Sequence, residues 1–206
     1  VTGTNGKTTI ATLLFKLFSS LGYTCGLVST VQNQIRDQII PSTHTTPDAV
    51  SLNELLNTMV NAGCSHVFME CSSHAVHQHR ITGLQFTGAL FSNITHDHLD
   101  YHGDFESYMT AKKKLFDDLK PGSWAIINAD DLHSGFMIQD TDAQIFSIGF
   151  MDTEGGQLLQ HSSTVKQPVS TYPPLPSWAQ GRRYTVETLG LDGTSLTEIP
   201  TNTRWK

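Results

Sequence analysis

The stretch Val1-Thr2-Gly3-Thr4-Asn5-Gly6-Lys7-Thr8-Thr9 opens the chain and decides how the rest is read. Its two glycines let the backbone bend tightly and aim successive N–H groups at one anion, while Lys7 adds a positive charge and Thr8 a hydroxyl suited to magnesium. Ile10, Leu13, Leu14, Leu17, Phe18 and Leu21 then recur at helical spacing, which predicts a helix whose N-terminus faces the same anion. The stretch reads as a phosphate-binding loop, although Val1 stands where the strict pattern G-x-x-x-x-G-K-[ST] has a glycine. A plain Gly-Lys-Thr helix start is the competing reading. Such a loop normally follows a buried strand, and only Val1 and Thr2 precede Gly3, so the chain is expected to be an N-terminally truncated fragment.

The bulk properties narrow the function classes. A length of 206 residues allows one sizeable domain, or one domain and part of another. A formal charge of -6 argues against sequence-independent nucleic-acid binding, which needs a basic face. No apolar run approaches the roughly 18 residues that span a bilayer, so no membrane association is expected. Cys25, Cys64 and Cys71 are odd in number and lack C-x-x-C spacing, which fits a reducing cytoplasm better than a disulfide framework or a zinc ribbon.

Outward from the loop, residues 23–31 form a β-rich run and residues 37–40 a short partner strand. A second helix is expected with Thr46 as its N-cap, Pro47 in its first turn, and Ala49, Leu52, Leu55, Leu56 and Met59 as its apolar stripe. Residues 65–69 make a buried strand that stops at Glu70. In an open α/β sheet ligands bind beyond the carboxyl ends of the strands, so Glu70 reads equally as a magnesium ligand or as a surface carboxylate. Residues 74–80 form a short helix carrying Arg80, a natural clamp for a carboxylate or diphosphate. Strands over 86–91, 124–127 and 143–148 repeat the pattern of strand, polar end and helix. The expected fold is therefore α/β, a mostly parallel sheet with helices on both faces.

Two further stretches carry chemistry. His96-x-His98-x-Asp100 resembles the start of a zinc-hydrolase signature, but Tyr101 sits where the last histidine belongs; the alternative is histidines touching magnesium-bound phosphate. In the helix over 105–119, Lys112 falls on the stripe of Phe105, Tyr108, Met109, Leu115, Phe116 and Leu119, with Lys113 and Lys114 beside it. A lysine on that face is either half-buried with a lowered pKa, or snorkels to the rim. From residue 151 the character changes, with five of the eight prolines and no convincing helix. Residues 1–150 are therefore taken as one domain, and 151–206 as an unassigned irregular tail: a loop-rich β segment, disordered, or the product of a shifted reading frame.

Taken together, the loop, His44-Thr45-Thr46-Pro47, Met69-Glu70-Cys71-Ser72-Ser73-His74, Gln78-His79-Arg80, Asn93-Ile94-Thr95, Asp97-His98-Leu99-Asp100-Tyr101-His102-Gly103 and Asn128-Ala129-Asp130-Asp131 resemble the central ATP-binding domain of the Mur ligases, over about residues 1–131. The likeness is greatest to the branch that adds a diamino acid to a UDP-linked muramoyl dipeptide. It implies an ATP- and Mg2+-dependent carboxylate–amine ligase of peptidoglycan synthesis working through an acyl phosphate. By this likeness Gly3, Thr4, Asn5, Gly6, Lys7, Thr8 and Thr9 hold ATP. Thr8, Glu70, His98 and Lys112 as a carbamate serve magnesium, with Lys7, Lys112, Glu70 and His98 catalytic. Thr45, Thr46, Ser72, Gln78 and Arg80 grip the UDP-linked substrate. The family's N- and C-terminal domains are absent from the sequence, so the fragment is expected to be inactive alone; a nucleotide-binding module without catalysis is the rival reading.

Overall fold

The structure is a computed structural model that describes residues 1–42 and 44–149, together with the backbone of two later strands, 183–190 and 193–199. The chain divides into two units, Val1–Lys166 and Gln167–Lys206. In chain order the first unit contains α1 (Lys7–Ser20), β1 (Cys25–Val28), β2 (Gln32–Ile35), β3 (Gln38–Pro41), α2 (Ala49–Asn61), β4 (His66–Met69) and α3 (Ser73–His77). It continues with β5 (Gly88–Phe91), α4 (Leu99–His102), α5 (Phe105–Asp117), β6 (Trp124–Asn128), α6 (Ser134–Met137) and β7 (Gln144–Ile148). In the second unit β8 (Arg183–Gly190) and β9 (Gly193–Ile199) pair as an antiparallel hairpin. A loop-rich β segment is among the sequence readings of this stretch, and here Gly190 pairs with Gly193. The other tail residues, and Thr43, lie outside the described residues.

Four strands run in the order β3-β2-β1-β4 and three in the order β5-β6-β7. Within them β1 and β4 are parallel, as are β5, β6 and β7, while β2 and β3 form an antiparallel edge. Val1 and Thr2 lie between the two groups. The Val1 nitrogen donates to the Met69 carbonyl (2.7 Å), and the Val1 carbonyl accepts from Cys71 N–H (2.8 Å). Thr2 N–H donates to the Leu90 carbonyl (2.8 Å), and the Thr2 carbonyl accepts from Ser92 N–H (3.1 Å). Two residues thus stand in for a central strand, parallel to β5.

Helices cover both faces, because successive side chains of a strand point opposite ways. Cys25 and Leu27 of β1 pack with Ala11 and Phe15 of α1. Val28 and Met69 instead join Leu52 and Met59 of α2 and Tyr108, Leu115 and Phe116 of α5. The second contact is close: a Cβ on Gly26 would sit 2.5 Å from Met59 Sδ. No helix among the described residues is long and apolar enough to cross a membrane.

Several local expectations are corrected. In α1 the buried residues are Ala11 and Phe15, while Leu13 and Leu17 are 59% and 51% exposed. Small Ala11 lets the helix approach the sheet. The run over 23–31 holds one strand, Cys25–Val28, and then turns into β2, since Ser29 Oγ donates to the Gln32 carbonyl and Asn33 Oδ1 accepts from Ser29 N–H. The cap of α2 is Asp48, whose carboxylate accepts from Val50 and Ser51 N–H; the Thr46 hydroxyl is occupied by the Glu70 carbonyl (3.0 Å). The short helix over 74–80 runs instead from Ser73 to His77.

Candidate functional site

β1, β4, the Val1–Thr2 stub, β5 and β6 all run the same way, so the residues after them share one edge. That edge carries Thr30, Glu70, the phosphate loop, Ser92, Asn93 and Asn128. The loop is held there through its backbone. Thr4 N–H donates to the Asn93 carbonyl (2.8 Å), Asn5 N–H donates to Asn93 Oδ1 (3.0 Å), and the Asn5 carbonyl accepts from Ser92 Oγ (2.7 Å) and Asn93 Nδ2 (3.1 Å). Asn128 Nδ2 in turn donates to the Ser92 carbonyl (2.8 Å). Gly3 is required by this approach, because a Cβ there would meet Ser92 Oγ at 2.1 Å and its φ is +147°. Gly6, at φ +84°, turns the chain into α1, where Lys7, Thr8 and Thr9 form the first turn.

Two lysines converge on one loop oxygen. Lys7 Nζ folds back to the Gly3 and Thr4 carbonyls (3.0 Å each), and Lys112 Nζ reaches the same Gly3 carbonyl from α5 (2.9 Å). Lys112 is 1% exposed, and its ammonium also sits 4.7 Å from the centre of the Tyr108 ring. Burial first, and Lys7 second, push its pKa down to about 7. Burial likewise lowers Lys7, against the opposing pull of Glu70 and Asp97. Lys113, beside Lys112 on the helix, also goes inward. It is 6% exposed, donates to Asp117 (2.6 Å) and Asp140 (2.5 Å), and is raised by those partners against the lowering effect of burial. Lys114 stays at the surface beside Asp118 (3.0 Å).

Glu70 is fully buried, with its N–H donating to the Val28 carbonyl (2.9 Å). Oε1 accepts from Thr30 N–H (2.7 Å) and Oε2 lies 3.1 Å from Thr30 Oγ1. The residues matched to substrate form a neighbouring group. Arg80 Nη1 donates to the Thr46 carbonyl (2.7 Å) while its Nε and Nη2 engage Gln78 Oε1, and Thr45 Oγ1 lies 3.1 Å from Thr30 Oγ1. Ser72 Oγ accepts from Ala75 N–H (3.1 Å) as the cap of α3. A hollow of about 300 Å³ between His44, Asp48, Ala49, Gln78 and Arg80 opens beside them.

His98 begins α4 in the left-handed region (φ 53°), 3.5 Å from Asp97, with its ring against those of His74 and Tyr108. Tyr108 in turn donates to or accepts from Thr4 Oγ1 (3.1 Å), tying α5 to the loop. The zinc reading is overturned: His96 stacks on Phe105, its ring centre 4.4 Å away, and no cluster of three or more metal-ligating residues occurs among the described residues. The sequence carries no local signal for Thr30 or Tyr108 as site residues: Thr30 falls inside the β-rich run over 23–31, and Tyr108 on the apolar stripe of the helix over 105–119.

The comparisons agree with this geometry. A 2,6-diaminopimelate ligase of UDP-N-acetylmuramoyl-L-alanyl-D-glutamate from Cytophaga hutchinsonii is 60% identical over 151 residues, 73% of this chain and 31% of that protein. The enzyme of the same name from Bacteroides fragilis is 53% identical over 147 residues, 71% and 30% of the two chains. The chain thus spans about a third of the length of these relatives. A solved structure of a ligase of that name superposes with a TM-score of 0.66 at 36% identity, covering 74% of this chain and 31% of that one. E. coli FolC in complex with DHPP and ADP shares the fold, with a TM-score of 0.52 at 18% identity over 70% of this chain and 40% of its own. The family model for the Mur ligase middle domain matches residues 1–186, well past the last motif read from the sequence. With the loop, the buried lysine and the strand-end carboxylate assembled on one sheet edge, and with that match covering most of the chain, this protein belongs to the Mur ligase middle domain family.

Proposed function

We propose that this domain serves an ATP-dependent ligase that joins 2,6-diaminopimelate to UDP-N-acetylmuramoyl-L-alanyl-D-glutamate, as the names of its relatives state of them. The observation that most supports catalysis over mere nucleotide binding is Lys112. It lies 109 positions from Gly3, yet buries its amine against the phosphate loop with a pKa of about 7. A passive nucleotide-binding module has no use for such a group.

ATP supplies the phosphoryl group that activates the substrate carboxylate as an acyl phosphate, and magnesium offsets the charge that develops during the transfer. The loop N–H groups and Lys7 hold the polyphosphate, so Lys7 leaves the loop carbonyls it caps here. Glu70 fits a hard cation. Each of its oxygens meets donors from Thr30 alone, which leaves lone pairs over, and magnesium beside phosphates needs only one or two protein carboxylates. Thr8 and His98 complete the proposed metal contacts. The neutral amine of Lys112 would add to carbon dioxide, release one proton and become a carbamate, supplying a second carboxylate for magnesium. Arg80, Gln78, Thr45, Thr46 and Ser72 orient the UDP-linked substrate. A cytoplasmic setting fits the three cysteines, all of them unbridged.

The test uses a protein of the relatives' full length carrying this domain. Phosphate release should require ATP, the muramoyl dipeptide and 2,6-diaminopimelate together, with ligated product in equal amount. Release that ignores either co-substrate would sink the proposal.

A further inference from the structure

Thr30 has no role in the reading so far, yet it is the residue that holds Glu70. The turn after β1 prepares it. Ser29 and Asn33 close residues 29–33 through their own side chains, which leaves the N–H and hydroxyl of Thr30 free to meet the carboxylate across the β1–β4 pair. The register places Val28 opposite Met69, so Glu70 is level with Ser29 and Thr30 lies one residue further along the adjacent strand, where its N–H and hydroxyl reach back to the carboxylate. The two contacts use both carboxylate oxygens and so fix the rotation of the group as well as its position.

The same hydroxyl lies 3.1 Å from Thr45 Oγ1. A hydroxyl has one hydrogen and an ionised carboxylate has none, so when Thr30 donates to Glu70 Oε2 it is Thr45 that donates to Thr30. Thr46, the next residue, donates to the backbone carbonyl of Glu70 (3.0 Å). A short relay of hydroxyls therefore links the 45–46 loop to both ends of Glu70.

We propose that Thr30 is the positioning residue for Glu70, orienting its carboxylate toward magnesium and coupling it to the substrate-side loop through Thr45. The proposal rests on the reading of Glu70 as the magnesium carboxylate. Partners that orient a metal's ligand typically change metal affinity or activity about 10–100-fold when removed. Thr30→Val keeps the shape and the N–H contact but deletes the hydroxyl, so a loss near the lower end, about tenfold, is expected.

The experiment measures binding of ATP to the full chain by calorimetry, with and without magnesium, for the unmodified protein, Thr30→Val, Thr30→Ala, Thr30→Ser and Glu70→Ala. Thr30→Val and Thr30→Ala should weaken magnesium-dependent binding about tenfold and leave metal-free binding unchanged. Thr30→Ser, which retains the hydroxyl, should stay within about twofold of the unmodified protein; a side chain that merely packs would not be rescued in this way. If Thr30→Val and Thr30→Ala bind magnesium-ATP normally while Glu70→Ala does not, the role of Thr30 is overturned alone. If Glu70→Ala also binds normally, the assignment of Glu70 falls and takes this proposal with it.

Discussion

Replacing Lys112 by methionine should stabilise the protein, and most strongly at low pH. In the folded chain the amine is 1% exposed and its pKa falls from 10.5 to about 7. The unfolded chain retains a value near that of free lysine. Between the two values the unfolded state binds more protons than the folded state, so stability rises with pH across that window. Below about pH 7 both states are protonated and the whole penalty stands. At about 1.4 kcal/mol for each pH unit, the gap from 10.5 to about 7 amounts to about 5 kcal/mol as an upper bound. Methionine surrenders the bond to the Gly3 carbonyl, about 1 kcal/mol, but that oxygen keeps its bond from Lys7. The expected gain is therefore about 2–4 kcal/mol at about pH 6.5, approaching zero by about pH 10. Urea unfolding of both proteins across that range measures it, with Lys112→Ala as a control that gains less because it leaves a cavity beside Tyr108. A methionine variant less stable than the parent at low pH, or a difference that ignores pH, would refute the reasoning.

Lys113→Ala should cost about 1–3 kcal/mol, because it removes a buried side chain that lies over the Phe136 ring and is held by two carboxylates, whereas Lys114→Ala at an exposed pair should cost at most about 0.5 kcal/mol; thermal denaturation separates the two. Gly3→Ala should abolish ATP binding by calorimetry and lower the melting temperature, since the added carbon has to displace Ser92 or the loop. In the full-length enzyme Arg80→Ala should raise KM for the muramoyl substrate far more than it lowers kcat, as expected for a group that holds substrate and is spent on no chemical step.

The loop and the strand ends were legible because local spacing encodes them: glycines at turns, a helix start, and polar residues that break apolar runs. Lys112 was legible for the same reason, as the seventh residue after Phe105 on one helix face. What escaped depends on partners distant in the chain. Lys113 is buried because Asp140, 27 positions on, comes back to meet it. Thr46 resembles a cap by sequence, yet its hydroxyl is taken by a carbonyl 24 residues away, which hands the cap to Asp48. The leucines of α1 outnumber the residues that face the sheet, so counting apolar positions included exposed Leu13, Leu17 and Leu21 beside Phe18, which does pack on the core, and left out Ala11 and Phe15. His96 shares a spacing with His98 but not a direction, and spacing alone cannot report direction.

The Val1–Thr2 stub gives the sheet an unusual mechanics. Among the described residues, β4 and β5 exchange no backbone hydrogen bonds with each other, and the backbone hydrogen bonds that join the two groups of strands pass through these two residues and the loop that follows. The sheet therefore has a seam down its middle. Opening under heat or tension should begin as a tear between β4 and β5, with the amides of Thr2, Cys71 and Ser92 losing protection together, before β3 or β7 frays at the margins. A polyphosphate clasped by Gly3 to Thr9 would rivet that seam, so occupancy of the loop and integrity of the sheet become one mechanical quantity.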